Sequence, residues 1–289
     1  MLYTTLIAPF AEFDFMRRAL VGVMVLALGA GPIGVFLMLR RMSLVGDAMA
    51  HAVLPGAAIG FLISGLNIFA MTAGGLIAGF VVALLAGLVA RSTELKEDAS
   101  LAVFFLISLA VGVTIISVRG TNIDLLHFLF GSVLALDDRT LTLIAINATV
   151  TLLGLAIIYR PLVLECVDPL YLRSVSTAGG PAHLIFLALL VINLVSGFHA
   201  LGTLLAVGIM MVPAAIGRFW ARDITMMIVV AVLAGMLSGY AGLLLSFHTA
   251  APAGPAVILV AGILYAISLL FGSVGGLVRQ LFPGRHLEA

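Results

Sequence analysis

The sequence predicts an all-α polytopic integral membrane protein with about eight to nine transmembrane helices and one short re-entrant helix. Three observations carry this. Of 289 residues, 63% are hydrophobic and only 9% are charged, where a soluble domain would carry about 25% charged residues. The apolar residues gather into runs of about 20, the length of helix that crosses a hydrocarbon core about 30 Å thick. Between the runs lie short clusters of Arg, Asp, Glu, Gly and Pro. The net charge of +1 and the scattered basic residues exclude a nucleic-acid-binding surface. A single cysteine, Cys166, excludes an internal disulfide and a cysteine-rich metal centre.

In order along the chain, residues 1–16 mix apolar side chains with Pro9, Glu12 and Asp14 and read as an interfacial segment. A single transmembrane domain, residues 17–279, begins with a span from about Ala19 to Leu39 that stops at Arg40-Arg41. No short apolar core with a small-residue cleavage site precedes it, so the spans themselves are expected to direct insertion. A second span carries Asp47 and His51 and ends at Gly65-Leu66-Asn67, a turn signal. A third runs from about Ile68 to Ala90, with Gly75 and Gly79 spaced for close helix packing. The charged stretch Arg91 to Asp98 separates it from a fourth, about Ala99 to Val118, whose first turn takes Glu97 and Asp98 at the positive end of the helix dipole. The segment from Arg119 to Arg139 has too short an apolar core to cross and reads as the re-entrant helix. A fifth span, about Thr140 to Tyr159, leads into a polar connection from Arg160 to Pro181. Pro181 to Arg218 reads as two spans joined by a turn at Ser196-Gly197-Phe198-His199. Two more follow, about Ile224 to Phe247 and Pro255 to Val278, before a tail at 280–289.

With the Arg40-Arg41 end inside, ten of the 14 basic residues fall in the cytoplasm and only Arg17, Arg18, Arg119 and Arg139 outside. The positive-inside rule then places the N-terminus outside and the C-terminus inside. The sole lysine, Lys96, follows Leu95, so the chain has no Gly-Lys phosphate loop, and ATP-driven work would need a second chain.

Asp47 is the only acidic residue well inside any of the long apolar runs, and a carboxylate there costs at least about 2.5–3.5 kcal/mol on insertion scales. His51, four residues on, shares its helix face. Counting about 1.5 Å per residue from Arg41, His51 lies some 15 Å deep, near the middle of the bilayer. Carboxylate oxygen and imidazole nitrogen suit zinc, manganese or ferrous iron, and a bound cation offsets the buried charge. A proton relay and a purely structural hydrogen-bonded pair fit the same spacing. Two donors do not close a shell, so other helices, waters or a second subunit would complete it. His127 in the re-entrant piece faces the same region from the outer side, and His199 and His248 fall in external turns where they could form an entrance. In the Arg160–Pro181 connection, Asp168 before Pro169 starts a short helix, Arg173 lies within it and Gly179-Gly180 stop it. Such a helix can dock on a partner or lie on the membrane surface.

Met42-Ser43-Leu44-Val45-Gly46-Asp47-Ala48-Met49-Ala50-His51-Ala52-Val53-Leu54-Pro55-Gly56 closely resembles the signature of the membrane subunits of zinc/manganese/iron ABC importers, the ABC-3 permeases. So do Leu95 to Ala99, Leu129-Phe130-Gly131 and Gly202 to Ala215, in order along essentially the whole chain. The resemblance implies a fold similar to the cobalamin-importer-type (type II) ABC permease. It also implies a homodimer in the bacterial inner membrane, two cytoplasmic ATP-binding subunits and a periplasmic or surface metal-binding protein. By resemblance Asp47 and His51 match the metal positions, and Asp168, Pro169, Arg173, Gly179 and Gly180 belong to the loop that couples permease to ATPase. Ala50 stands where these proteins usually carry serine. The chain would hold no permanent cofactor and catalyse no bond chemistry; its cargo would be Zn2+ first, with Mn2+ or Fe2+ as the alternatives. A different class of protein, an ATPase-independent proton-coupled secondary transporter, would use the same pair as a relay.

Overall fold

The computed structural model describes residues 2–42, 45–65, 67–93, 97–119 and 136–278, and every regular element among them is a helix. Two short helices, α1 (Leu2–Leu6) and α2 (Ala8–Glu12), precede α3 (Asp14–Leu39). Helices α4 (Val45–Ala52) and α5 (Leu54–Ser64) form the second long apolar segment, followed by α6 (Ile68–Ser92) and α7 (Glu97–Arg119). Helix α8 (Asp138–Val167) leads to the short α9 (Pro169–Val175). The chain continues through α10 (Gly179–Leu201), α11 (Thr203–Trp220), α12 (Ile224–Thr249) and α13 (Ala253–Phe271). Among the described residues, nine segments are long and apolar enough to cross a membrane, with α4 and α5 counting as one. The re-entrant helix expected between Arg119 and Arg139, and His127 in it, lie outside the described residues apart from its flanks.

Side-chain caps decide where several helices begin. Asp137 accepts from the Thr140 amide, Asp168 from Tyr171, Asp223 from Met226, and Asn67 from Phe69 and Ala70. Each satisfies a donor that a helix N-terminus leaves open, and the carboxylates also meet the positive end of the dipole. At its other end α3 closes in a Schellman motif: Arg41 takes φ 60°, its amide bonds the Met38 carbonyl, and the Met42 amide bonds Leu37.

Helix α3 is the centre of the bundle, packed against α8, α10, α11 and α12. Small residues allow this. A Cβ at Gly34 would fall on the Met210 carbonyl of α11, and Gly235 and Gly239 of α12 sit against Ala27 and Val23. In lipid, such close approach supplies the dispersion contacts that hydrophobic collapse supplies in water. Helices α3 and α8 run parallel, tied at their starts by Arg18–Asp138 (3.1 Å) and at their ends by Arg40–Glu165 (2.9 Å). Parallel starts require an even number of reversals between them, which α3, α4–α5, α6 and α7 provide.

Several boundaries differ from the sequence reading: the last span ends at Phe271 rather than Val278, and three others bear on the site. The turn expected at Ser196–His199 lies instead at Gly202, whose φ of 88° ends α10 and opens α11. Gly197 is a contact residue, close to Ala206 and Leu26, rather than a turn residue. Helix α8 does not end at Tyr159 but continues through Pro161 to Val167. Gly179-Gly180 do not stop α9: its last turn closes with the Ser176 amide on the Leu172 carbonyl, and Gly179 is already the first residue of α10.

Candidate functional site

Helix α4 is two-faced. Val45, Met49 and Ala52, together with Val53 just beyond it, are buried, whereas Asp47 is exposed and His51 is half-buried one turn further on. Opposite, Gly46 abuts the Met210 side chain of α11. An exposed carboxylate inside a membrane segment must face something polar: a water-filled path, a cation or another subunit. The helical hydrogen-bond ladder is interrupted just past His51. Pro55 has no N–H to give the His51 carbonyl, four residues back, and the helix is interrupted at Val53. From α7 the Ser108 hydroxyl donates to the Ala52 carbonyl at 2.9 Å, and the Phe105 ring stacks on His51 with centroids 6.3 Å apart and planes 30° apart. Asp47 and His51 thus project together from a kinked, supported helix. No group of three or more His, Cys, Asp or Glu that could hold a metal ion stands among the described residues.

The remaining histidines are dispersed. His199 lies in the last turn of α10 rather than in a turn between helices. His248 likewise lies on helix, in the last turn of α12, where Nε2 reaches the Thr5 carbonyl at 3.1 Å. A carbonyl only accepts, so Nε2 is the donor in this bond. Tyr240 donates to the Leu6 carbonyl and stacks on Phe10, so α12 fastens the N-terminal segment.

Asp168 caps α9, with Pro169 at its first position. Leu172 is buried and anchors this helix, while Leu170, Tyr171 and Val175 are exposed. An exposed apolar face on a short helix beyond the spans is suited to a protein partner.

Sequence reasoning missed the ionic cluster where α9 joins the bundle. Arg40 pairs with Glu165 at 2.9 Å, its side chain 9% exposed and that of Glu165 18%. Another guanidinium nitrogen lies 2.7 Å from His183 Nδ1, and the group stands 5.4 Å from the Phe186 ring centre. Arginine has no acceptor, so His183 Nδ1 accepts and is unprotonated. Asp47 is therefore not the only acid held within a long helix; Glu165 is another. The signal was the buried stripe Leu155, Ile158 and Leu162, whose spacing, carried one step past the polar Arg160, lands on Glu165.

A model of the ABC 3 transport family matches residues 12–272. The manganese transport system membrane protein MntC of Halalkalibacterium halodurans is 31% identical, over 96% of this chain and 94% of that protein. The manganese import system permease protein ScaB of Streptococcus parasanguinis is 31% identical over 92% and 93%. The chelated iron transport system membrane protein YfeD of Yersinia pestis is 28% identical over 95% and 91%. Among solved structures, PsaBC from Streptococcus pneumoniae in complex with Fab superposes with a TM-score of 0.81 at 27% identity, over 97% of this chain and 100% of that one. A metal-chelate type ABC transporter in an inward-facing conformation shares the fold, with a TM-score of 0.62 at 15% identity over 88% and 85%. The type II permease architecture expected from the resemblance is the one observed.

Proposed function

The chain belongs to the ABC 3 transport family and is a multi-pass permease subunit of an ABC metal importer, and from that premise we propose that it passes a divalent transition metal inward through a transient site made by Asp47 and His51. The observation that carries this is their shared face on α4, one turn apart at a proline kink. Oxygen and nitrogen donors without thiolate suit Mn2+ and Fe2+ as well as Zn2+. The sequence reading put zinc first; the names of the relatives favour manganese, and we place manganese first here. Waters, His127 or a second copy of the chain would complete the shell, because two donors hold a cation too weakly to retain it.

In this reading two ATP-binding subunits dock on α9, a periplasmic or surface metal-binding protein delivers the cation, and the chain itself hydrolyses nothing. The N-terminus lies outside and the C-terminus in the cytoplasm. Asp47→Asn and His51→Ala are each expected to lower manganese uptake at least about tenfold, in line with loss of one ligand from a small donor set, at unchanged membrane abundance. Unchanged uptake would overturn the site. Competition among radiolabelled manganese, zinc and iron, in cells lacking other importers, ranks the cargo. A proton-coupled carrier would instead lose uptake to a protonophore and keep it when the partner ATPase is inactivated.

A further inference from the structure

We propose that one face of α7, formed by Phe105, Ser108 and Gly112, holds the kinked metal-facing segment in register, and that Phe105 is the residue that positions the His51 imidazole. The inference rests on the reading of Asp47 and His51 as cation donors and extends it to side chains that donate nothing to a metal.

The three residues follow i, i+3, i+7 spacing and so lie in one row along α7. Each meets the next part of the kink. Phe105 stacks on the His51 ring at 6.3 Å, within the range where aromatic faces attract. Ser108 donates to the Ala52 carbonyl at 2.9 Å, supplying a hydrogen bond beside the point where the proline interrupts the helical ladder. Gly112 faces Pro55, and a Cβ there would stand 3.1 Å from the proline nitrogen and 3.2 Å from its Cα. The row therefore matches the segment contact by contact: ring, carbonyl, pyrrolidine.

The consequence follows from the small size of the site. A half-buried imidazole at a helix edge can visit several rotamers, and only those that aim a nitrogen alongside the Asp47 carboxylate bind a cation. A ring face against His51 removes some of the others. The Ser108 bond and the Gly112 contact brace the segment where the proline interrupts the ladder, and so hold α4 in place. With so few donors in the site, the population of the competent rotamer enters the apparent affinity directly. Groups that support metal ligands from behind typically change affinity about 10–100-fold when removed, and a stacking contact on one ligand belongs at or below the lower end of that range.

The test is manganese uptake by the assembled transporter in membranes, normalised to the amount of inserted permease. Phe105→Leu keeps an apolar side chain but removes the ring face; it is expected to raise KM for Mn2+ about 3–10-fold while turnover per inserted copy changes less than about twofold. Phe105→Tyr keeps the face and is expected to retain the wild-type KM. Gly112→Ala, which pushes against Pro55, is expected to raise KM in the same direction. A role confined to packing would lower abundance or turnover and leave KM alone. Unchanged KM in Phe105→Leu, or a Phe105→Tyr defect as large as that of Phe105→Leu, overturns the proposal. Normal uptake in His51→Ala would instead overturn the metal-site reading itself, whatever Phe105 does.

Discussion

Arg40 and Glu165 sit far apart in the sequence, one after an apolar run and the other in what reads as a loop, yet they make a largely buried ion pair that also takes in His183 and Phe186. Removing one member strands the other, and breaking a buried pair costs about 3–5 kcal/mol. Arg40→Ala is therefore expected to lower the unfolding temperature in detergent markedly. Glu165→Gln, which keeps the volume and a hydrogen-bond acceptor beside Arg40, should cost less; an equal loss would show that the Glu165 charge, rather than its volume or its acceptor, carries the contribution. Asp137 makes a gentler case. Hydrogen bonds from Thr140, first its hydroxyl and then its amide, hold this exposed carboxyl below its ordinary range. Because the folded value is depressed, its cap contributes above the unfolded pKa and fades as pH falls through the folded one. Thr140→Val should move the Asp137 titration up toward the ordinary range, read by NMR of a carboxyl-labelled sample. That Asp47 and His51 share a helix face could be read from the sequence because it is local, four residues on one helix. The meeting of Arg40, Glu165 and His183 could not, because hydropathy describes a residue's own segment and not what another helix brings to it.

Helices α5 and α6 cross with almost no side chain between them. A Cβ at Gly56 would fall on the Gly74 carbonyl, one at Gly74 on the Gly56 carbonyl, and one at Gly60 on Ala70. The Gly75 and Gly79 pair evident in the sequence does shape packing, but of α6 around Val53 and Val191. Which glycine faces which neighbour depends on helix rotation, and α6 is apolar nearly all round, so no periodicity marks its buried face. Gly74→Ala is expected to cost about 1–3 kcal/mol by overpacking and to be relieved by no side-chain movement, because the obstruction is backbone. Lower detergent stability than in a Gly75→Ala control, where flexible Val53 can yield, would bear this out. At α9 the start was legible from Asp168-Pro169 and the stop was not: a diglycine signals a break, and here the break precedes a new helix. Its exposed Leu170 and Tyr171 supply the docking test. Leu170→Asp should weaken co-purification of the ATP-binding partner about tenfold or more, as loss of a central apolar anchor does, and full recovery would count against α9 as the contact.

On the scale of the whole molecule, span number and helical class could be read from composition and run length because the bilayer fixes both, whereas the order of packing around α3 could not. That order follows from where small residues permit close approach and where end charges pair. The parallel course of α3 and α8, pinned by Arg18–Asp138 and Arg40–Glu165, places Asp14, Asp137 and Asp138 at one end of the bundle and Arg40, Arg41 and Arg218 at the other. In the proposed orientation the second end is the cytoplasmic one, as the positive-inside rule favours even with Arg17, Arg18 and Arg139 at the first end, and exposed apolar side chains such as Ile77, Val81, Leu84 and Ile107 lie between the two. The orientation can be tested with one native thiol to remove. In a Cys166→Ala background, Thr249→Cys lies at the α12 end beside His248 and Thr177→Cys lies in the turn after α9, both exposed. A membrane-impermeant maleimide should label Thr249→Cys in intact cells and Thr177→Cys only after permeabilisation. The reverse pattern would invert the bundle and place α9 on the side away from ATP, which would remove the basis for docking an ATPase there.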